Sequence, residues 1–189
     1  LAMWTFDLYG SRILMETPES ELRLRLGLRI GDFDNDYRSA AGIEGVAGTR
    51  LDRSSNYAAL IGPAVGLTGV LHRGNHSFHG SFGQSVLIGT ADLFGTVQDF
   101  TGPFSETPAV FNLERIYRAQ DVAIPVTEFR IGYRYSLTGH FAVNAGINSS
   151  AWWDVPVPPG SIPGPGGDTV FHENTVVLFG LQAGVEYRF

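Results

Sequence analysis

Residues 180–189 read Gly180-Leu181-Gln182-Ala183-Gly184-Val185-Glu186-Tyr187-Arg188-Phe189. Odd positions from Phe179 to Phe189 are apolar or aromatic. Even positions are small or polar. A period of two is the signature of a β-strand with one greasy face, because successive side chains point to opposite sides of the backbone. This strand finishes on an aromatic residue, which a strand facing water has no physical reason to do.

The same alternation recurs upstream. The clearest case is 21–32, where Leu22, Leu24, Leu26, Leu28 and Ile30 alternate with Glu21, Arg23, Arg25, Gly27 and Arg29. Seven strand-like segments emerge, at about 2–15, 21–32, 57–71, 77–97, 122–137, 140–153 and from 172 onward. Their connections alternate in length. Short turns are expected around 17–20, 73–76 and 138–139, and long loops over 33–56, 98–121 and 154–171. The last of these is rich in Pro and Gly. In an up-and-down β-barrel this pattern puts all short turns on one rim and all long loops on the other, as in transmembrane barrels. Single-chain bacterial barrels close with even strand numbers. Seven visible strands therefore predict closure at eight or ten, with the balance supplied by N-terminal sequence. The chain begins at Leu1, which fits a processed or truncated product.

Composition fits one domain of this kind. The 189 residues include 24 Gly and no Cys, so there is no disulfide framework and no thiolate metal site. There is no run of about eighteen apolar residues, the length a transmembrane helix needs. All 13 basic residues are Arg, and the net charge of −6 argues against nucleic-acid binding.

A terminal Phe preceded by alternating apolar residues resembles the C-terminal strand of bacterial outer-membrane barrels. That resemblance implies an assembly signal at Phe189, Tyr187 and Val185, read by the barrel assembly machinery. Three further segments narrow the family. They are Leu22 to Ile30 followed by an Asp-rich stretch, Leu60-Ile61-Gly62-Pro63-Ala64-Val65-Gly66-Leu67, and Phe129-Arg130-Ile131-Gly132-Tyr133 with the later Ala151-Trp152-Trp153-Asp154. Together they resemble the Legionella-type pore-forming, major-outer-membrane-protein-like barrels. The resemblance implies a barrel, a pore and additional N-terminal strands, and it carries no catalytic residues.

On this reading Trp4, Tyr57 and Trp153 form an aromatic girdle at the long-loop rim, with Tyr135 and Phe141 at the other. Arg23, Arg25, Arg29, Glu128, Arg130, Arg134, Glu186 and Arg188 face the lumen, with Asp7 and Glu21. There they are either an eyelet biased toward anions or an internal salt-bridge network, since eight strands leave room only for side chains. Asp32-Phe33-Asp34-Asn35-Asp36 resembles a calcium loop but lacks its Gly and its terminal Glu, and reads as a polar rim loop. His72, His76 and His79 surround one turn and read as solvated rather than metal-binding. Neither metal nor cofactor is expected. The expected function is a porin-like channel or structural surface protein of the bacterial outer membrane, non-enzymatic. Its expected partners are outer-membrane lipids, further copies of itself or other envelope proteins. The alternatives are an outer-membrane lipid-modifying enzyme and a soluble lipocalin-like binding barrel.

Overall fold

The computed structural model describes residues 2–43, 47–101, 109–157 and 172–187. Arg188 and Phe189 lie outside them, as does 158–171, most of the third expected loop. Seven strands form one antiparallel sheet in sequence order: β1 (Ala2–Glu16), β2 (Ser20–Ile43), β3 (Ala47–Arg73), β4 (His76–Thr101), β5 (Ala109–Ser136), β6 (Phe141–Val157) and β7 (His172–Tyr187). The fold is all-β and up-and-down, as the alternation predicts. The sheet is not closed: among the described residues β1 pairs only with β2, and β7 only with β6. It curls nevertheless. Arg29 on β2 reaches Glu128 on β5, and Phe33 on β2 stacks on Trp152 of β6. Strands that far apart in the sheet order meet only if the sheet bends into a barrel-like wall with an inner face.

Two of the expected long loops are corrected. Residues 33–43 and 47–56 continue β2 and β3 as a paired ladder, from Phe33↔Tyr57 to Ile43↔Ala47. Residues 98–101 and 109–121 likewise continue β4 and β5. The reason is that period-2 alternation of apolar and polar residues exists only where one face is buried or greasy. Asp34, Asn56 and Asp92 are polar and exposed, so the strand persists while its sequence signal vanishes. With β2 to β5 each running 24–28 residues, the sheet rises well past its apolar part on this rim. On that extension the Tyr117 hydroxyl donates to Asp92 at 2.7 Å, and the carboxylate raises the phenol's pKa above its ordinary value.

The opposite rim is tight. Thr17 and Ser20 exchange backbone hydrogen bonds of 2.8 and 3.3 Å. Gly74 sits at φ +60° in the turn joining β3 to β4. Thr138 Oγ1 accepts from the backbone N–H groups of His140 and Phe141.

Bulges shape the upper wall, one on β3 that shifts its register against both neighbours and one on β6. Register shifts fall between Gly31 and Phe33, between Ala58 and Ile61, and between Trp152 and Val155. Ala59 and Asp154 carry positive φ of 53° and 54°. An extra residue on one strand reverses which parity faces inward. The bulge on β3 is held by Asp32, whose Oδ1 accepts from the Ala59 N–H at 2.9 Å. Asp32, read as the start of a polar rim loop, is therefore a strand residue stabilising its neighbour.

Candidate functional site

The outer face carries the alternate apolar set: Phe6, Leu8, Leu28, Phe82, Ile131 and Leu181 are all exposed, Leu181 to 89%. The inner face has two storeys.

The upper storey is apolar. Phe33, Tyr57, Leu60, Leu87, Leu93, Ile124, Val126, Trp152 and Val155 are each at most 1% exposed and form one cluster. Phe33 stacks on Trp152 with centroids 5.8 Å apart and meets Tyr57 edge-on at 5.2 Å. The Tyr57 hydroxyl donates to the Pro156 carbonyl, tying the upper end of β6 to β3 across the interior. Tyr57 is thus not where the girdle reading put it. By parity with Ile61 it belongs outside, but the bulge at Ala58–Ile61 turns it inward. Trp4 and Trp153 are exposed on the outer face, at 53% and 42%. Tyr135 and Phe141 lie on the same outward parity near the tight rim, partly exposed, with Tyr135 against the His76 ring. Val185 and Tyr187 are exposed on β7.

The lower storey is polar. Arg29, its side chain 4% exposed, sits at its centre. Its Nε and Nη2 donate to Asp7 at 2.6 and 2.9 Å, Nη2 also reaches Glu128 at 2.5 Å, and Nη1 approaches Ser85 Oγ at 3.4 Å. A buried guanidinium is tolerable only when its donors are matched in this way. Arg25 lies over the Tyr9 ring, 4.1 Å from its centroid. Arg134 Nε donates to Glu186 at 2.9 Å. Arg23 is bound by its strand neighbour Glu21. Arg130 joins Arg25, Arg29, Asp7 and Glu128 around a cavity of about 490 Å³. Of the lumen charges read from sequence, Arg29, Asp7 and Glu128 are brought together, Arg134 and Glu186 pair separately, and Arg188 lies outside the described residues. The small inner residues are part of this packing. A Cβ at Gly132 would overlap the His79 ring, and one at Gly62 would overlap the Val86 carbonyl oxygen.

The histidines around the β3–β4 turn contact hydroxyls. His72 Nδ1 meets Ser77 Oγ at 2.8 Å and His76 Nδ1 meets the Tyr133 hydroxyl at 2.5 Å. Among the described residues the Ser77–His72 pair comes nearest to a nucleophile and base. The neighbouring carboxylate, Glu21, has both oxygens engaged by Arg23. Among the described residues no three His, Cys, Asp or Glu converge as metal ligands.

The apolar storey is what sequence reasoning missed. Phe33 fell in an expected loop, Leu60 was quoted only as part of a strand segment, and Leu87 and Leu93 have no distinguishing motif. The signal present was weak: Leu87, Leu93, Ile124 and Val126 are apolar at positions whose parity is polar lower on the same strands. No family model, curated protein or solved structure matches the chain.

Proposed function

We propose that this chain is a bacterial outer-membrane β-barrel protein of the structural, surface-displaying kind, with a filled interior and no enzymatic role. The observation that carries the reading is the outer face. Its exposed apolar side chains continue from Phe6 and Leu8 on β1 to Phe179 and Leu181 on β7. A soluble protein rarely exposes more than a few hundred Å² of contiguous apolar surface, which weighs against the lipocalin-like alternative. On β2 and β7 the outward apolar stretch is about ten residues long, matching what a tilted strand needs to cross a bilayer. The inner face supports a structural role over a channel, because the upper storey is packed without exposure and the lower one is bridged by ion pairs. The porin-like reading keeps one argument, the cavity at Arg25 and Arg130. Kinship with the Legionella-type family belongs to this proposal and rests on the strand segments quoted above. So do the assembly signal at the C-terminal strand and its recognition by the assembly machinery.

The test is topology in a Gram-negative host. The β2–β3 extension should face outward and the tight turns inward. A cysteine at Ser39 should react with an impermeant maleimide on intact cells, while one at Gly74 should react only after lysis. Recovery of the chain as soluble protein, or labelling of the Gly74 variant alone, would overturn the reading.

A second expectation concerns the outer face directly. Ile131 is 47% exposed. If that exposure is to water, Ile131→Arg should be nearly neutral, as surface substitutions usually are. If it is to hydrocarbon near mid-membrane, the change costs about 2–4 kcal/mol. We expect the larger figure in urea titrations of vesicle-embedded protein, with Ile131→Ala as the control.

A further inference from the structure

A hydrogen-bonded polar chain crosses the outer face from Trp153 to Gln84, which stands midway along the outward set Phe78, Phe82, Val86 and Ile88 of β4. Trp153 Nε1 on β6 donates to Thr127 Oγ1 on β5 at 3.0 Å, and Thr127 Oγ1 donates to Gln84 Oε1 on β4 at 2.9 Å. The direction of the first link is fixed by chemistry. An indole nitrogen can only donate, so the threonine hydroxyl accepts from it and passes its own proton onward. Gln84 presents its carbonyl oxygen, Oε1, to Thr127 and accepts that proton. Its amide nitrogen is left with two N–H groups that no described residue accepts. Gln84 lies between Phe82 and Val86 on the outward parity of β4, paired with Val65 and Thr127 on its flanks. Phe82 is 50% and Val65 44% exposed.

A groove of about 390 Å³ adjoins it, lined by Leu26, Pro63, Val65 and Val86 with Gln84 at its border. The groove has a local cause. Proline offers no N–H to a ladder, and Gly62 and Pro63 form no bridge to β4 in the stretch between Ile61↔Ile88 and Ala64↔Ser85.

We propose that this patch is a homodimer interface in which Gln84 pairs with Gln84 of a second copy. The proposal rests on the membrane reading above. In hydrocarbon neither lipid tails nor water can accept from the amide, and polar side chains facing the bilayer are accordingly rare. A primary amide carries both a donor and an acceptor, so it is its own complement. A two-fold contact places the same side chain opposite itself, as isologous interfaces require. The adjoining groove then receives an apolar side chain from the second copy. The amides act as polar glue between membrane-embedded walls.

The test uses the full chain reconstituted in vesicles and in detergent micelles. Wild type is expected to sediment as a dimer. Gln84→Leu should weaken dimerisation about 3- to 30-fold, the range polar contacts supply between membrane segments, and Gln84→Asn should restore part of it. Heat-modifiable electrophoretic mobility confirms that each variant is folded. Should Gln84→Leu not fold, single cysteines decide. A short bismaleimide should link Gln84→Cys chains into dimers in the native membrane and leave Leu181→Cys chains unlinked. A monomeric wild type, a Gln84→Leu dimer of unchanged strength, or linkage of Gln84→Cys only to another protein would overturn the proposal. Vesicle flotation separates the two readings. Protein that floats but is monomeric refutes the dimer alone, whereas protein that does not float refutes the membrane reading beneath it.

Discussion

Arg29→Met should destabilise the protein by about 3 kcal/mol, the lower end of the range for breaking a buried ion pair. Arg29 is the only cation placed between Asp7 and Glu128 by the described contacts, at 2.6 and 2.5 Å. Its removal leaves two carboxylates facing each other across the inner wall. The lower figure is chosen because their side chains keep 28% and 40% exposure, so cavity water screens part of the repulsion. The penalty should lie in the orphaned acids and not in the lost arginine. Adding Asp7→Asn and Glu128→Gln to Arg29→Met should therefore recover most of the stability in urea titrations. Polar or ionic groups replaced together are often close to neutral. If the triple variant is as unstable as Arg29→Met, the arginine acts through packing instead.

Trp152→Ala is the second large effect, at about 3–5 kcal/mol, the usual range for truncating a large buried aromatic side chain. Trp152 is 1% exposed and stacked on Phe33, and it belongs to the cluster that ties β6 to β2 and β3. Its indole Nε1 is buried and finds no hydrogen-bond partner among the described residues. Trp152→Phe removes that orphan donor along with part of the ring, so it should cost clearly less than Trp152→Ala. Equal losses in the two variants would mean that volume at this site does not matter. The same pair tests the filled interior. Planar-bilayer recordings of wild type and Trp152→Phe should show no steady conductance. A stable conducting wild type would favour the porin-like reading.

The sheet order, its antiparallel sense and the inward or outward assignment of most side chains were legible in the chain itself. Period-2 alternation is a local property: Leu22 to Ile30 declares its two faces whatever β2 packs against. The tight turns at 17–20, 73–76 and 138–139 were legible for the same reason, since Pro18, Gly74 and Gly139 act on their own backbone. The strand extensions were not, because beyond Phe33 and Tyr57 neither face is distinguished by polarity. Nor were the bulges, because Ala59 and Asp154 adopt positive φ without being glycine. Asp32, which holds the first of them, is distant in sequence. That one shift decides whether Tyr57 meets the outside or the interior. The pairing of Arg29 with Asp7 and Glu128, and the closure of the apolar storey by Phe33 and Trp152, were likewise decided only by the tertiary structure. Alternation says which face a residue occupies. Curvature and register across strands far apart in the sheet determine what it meets there.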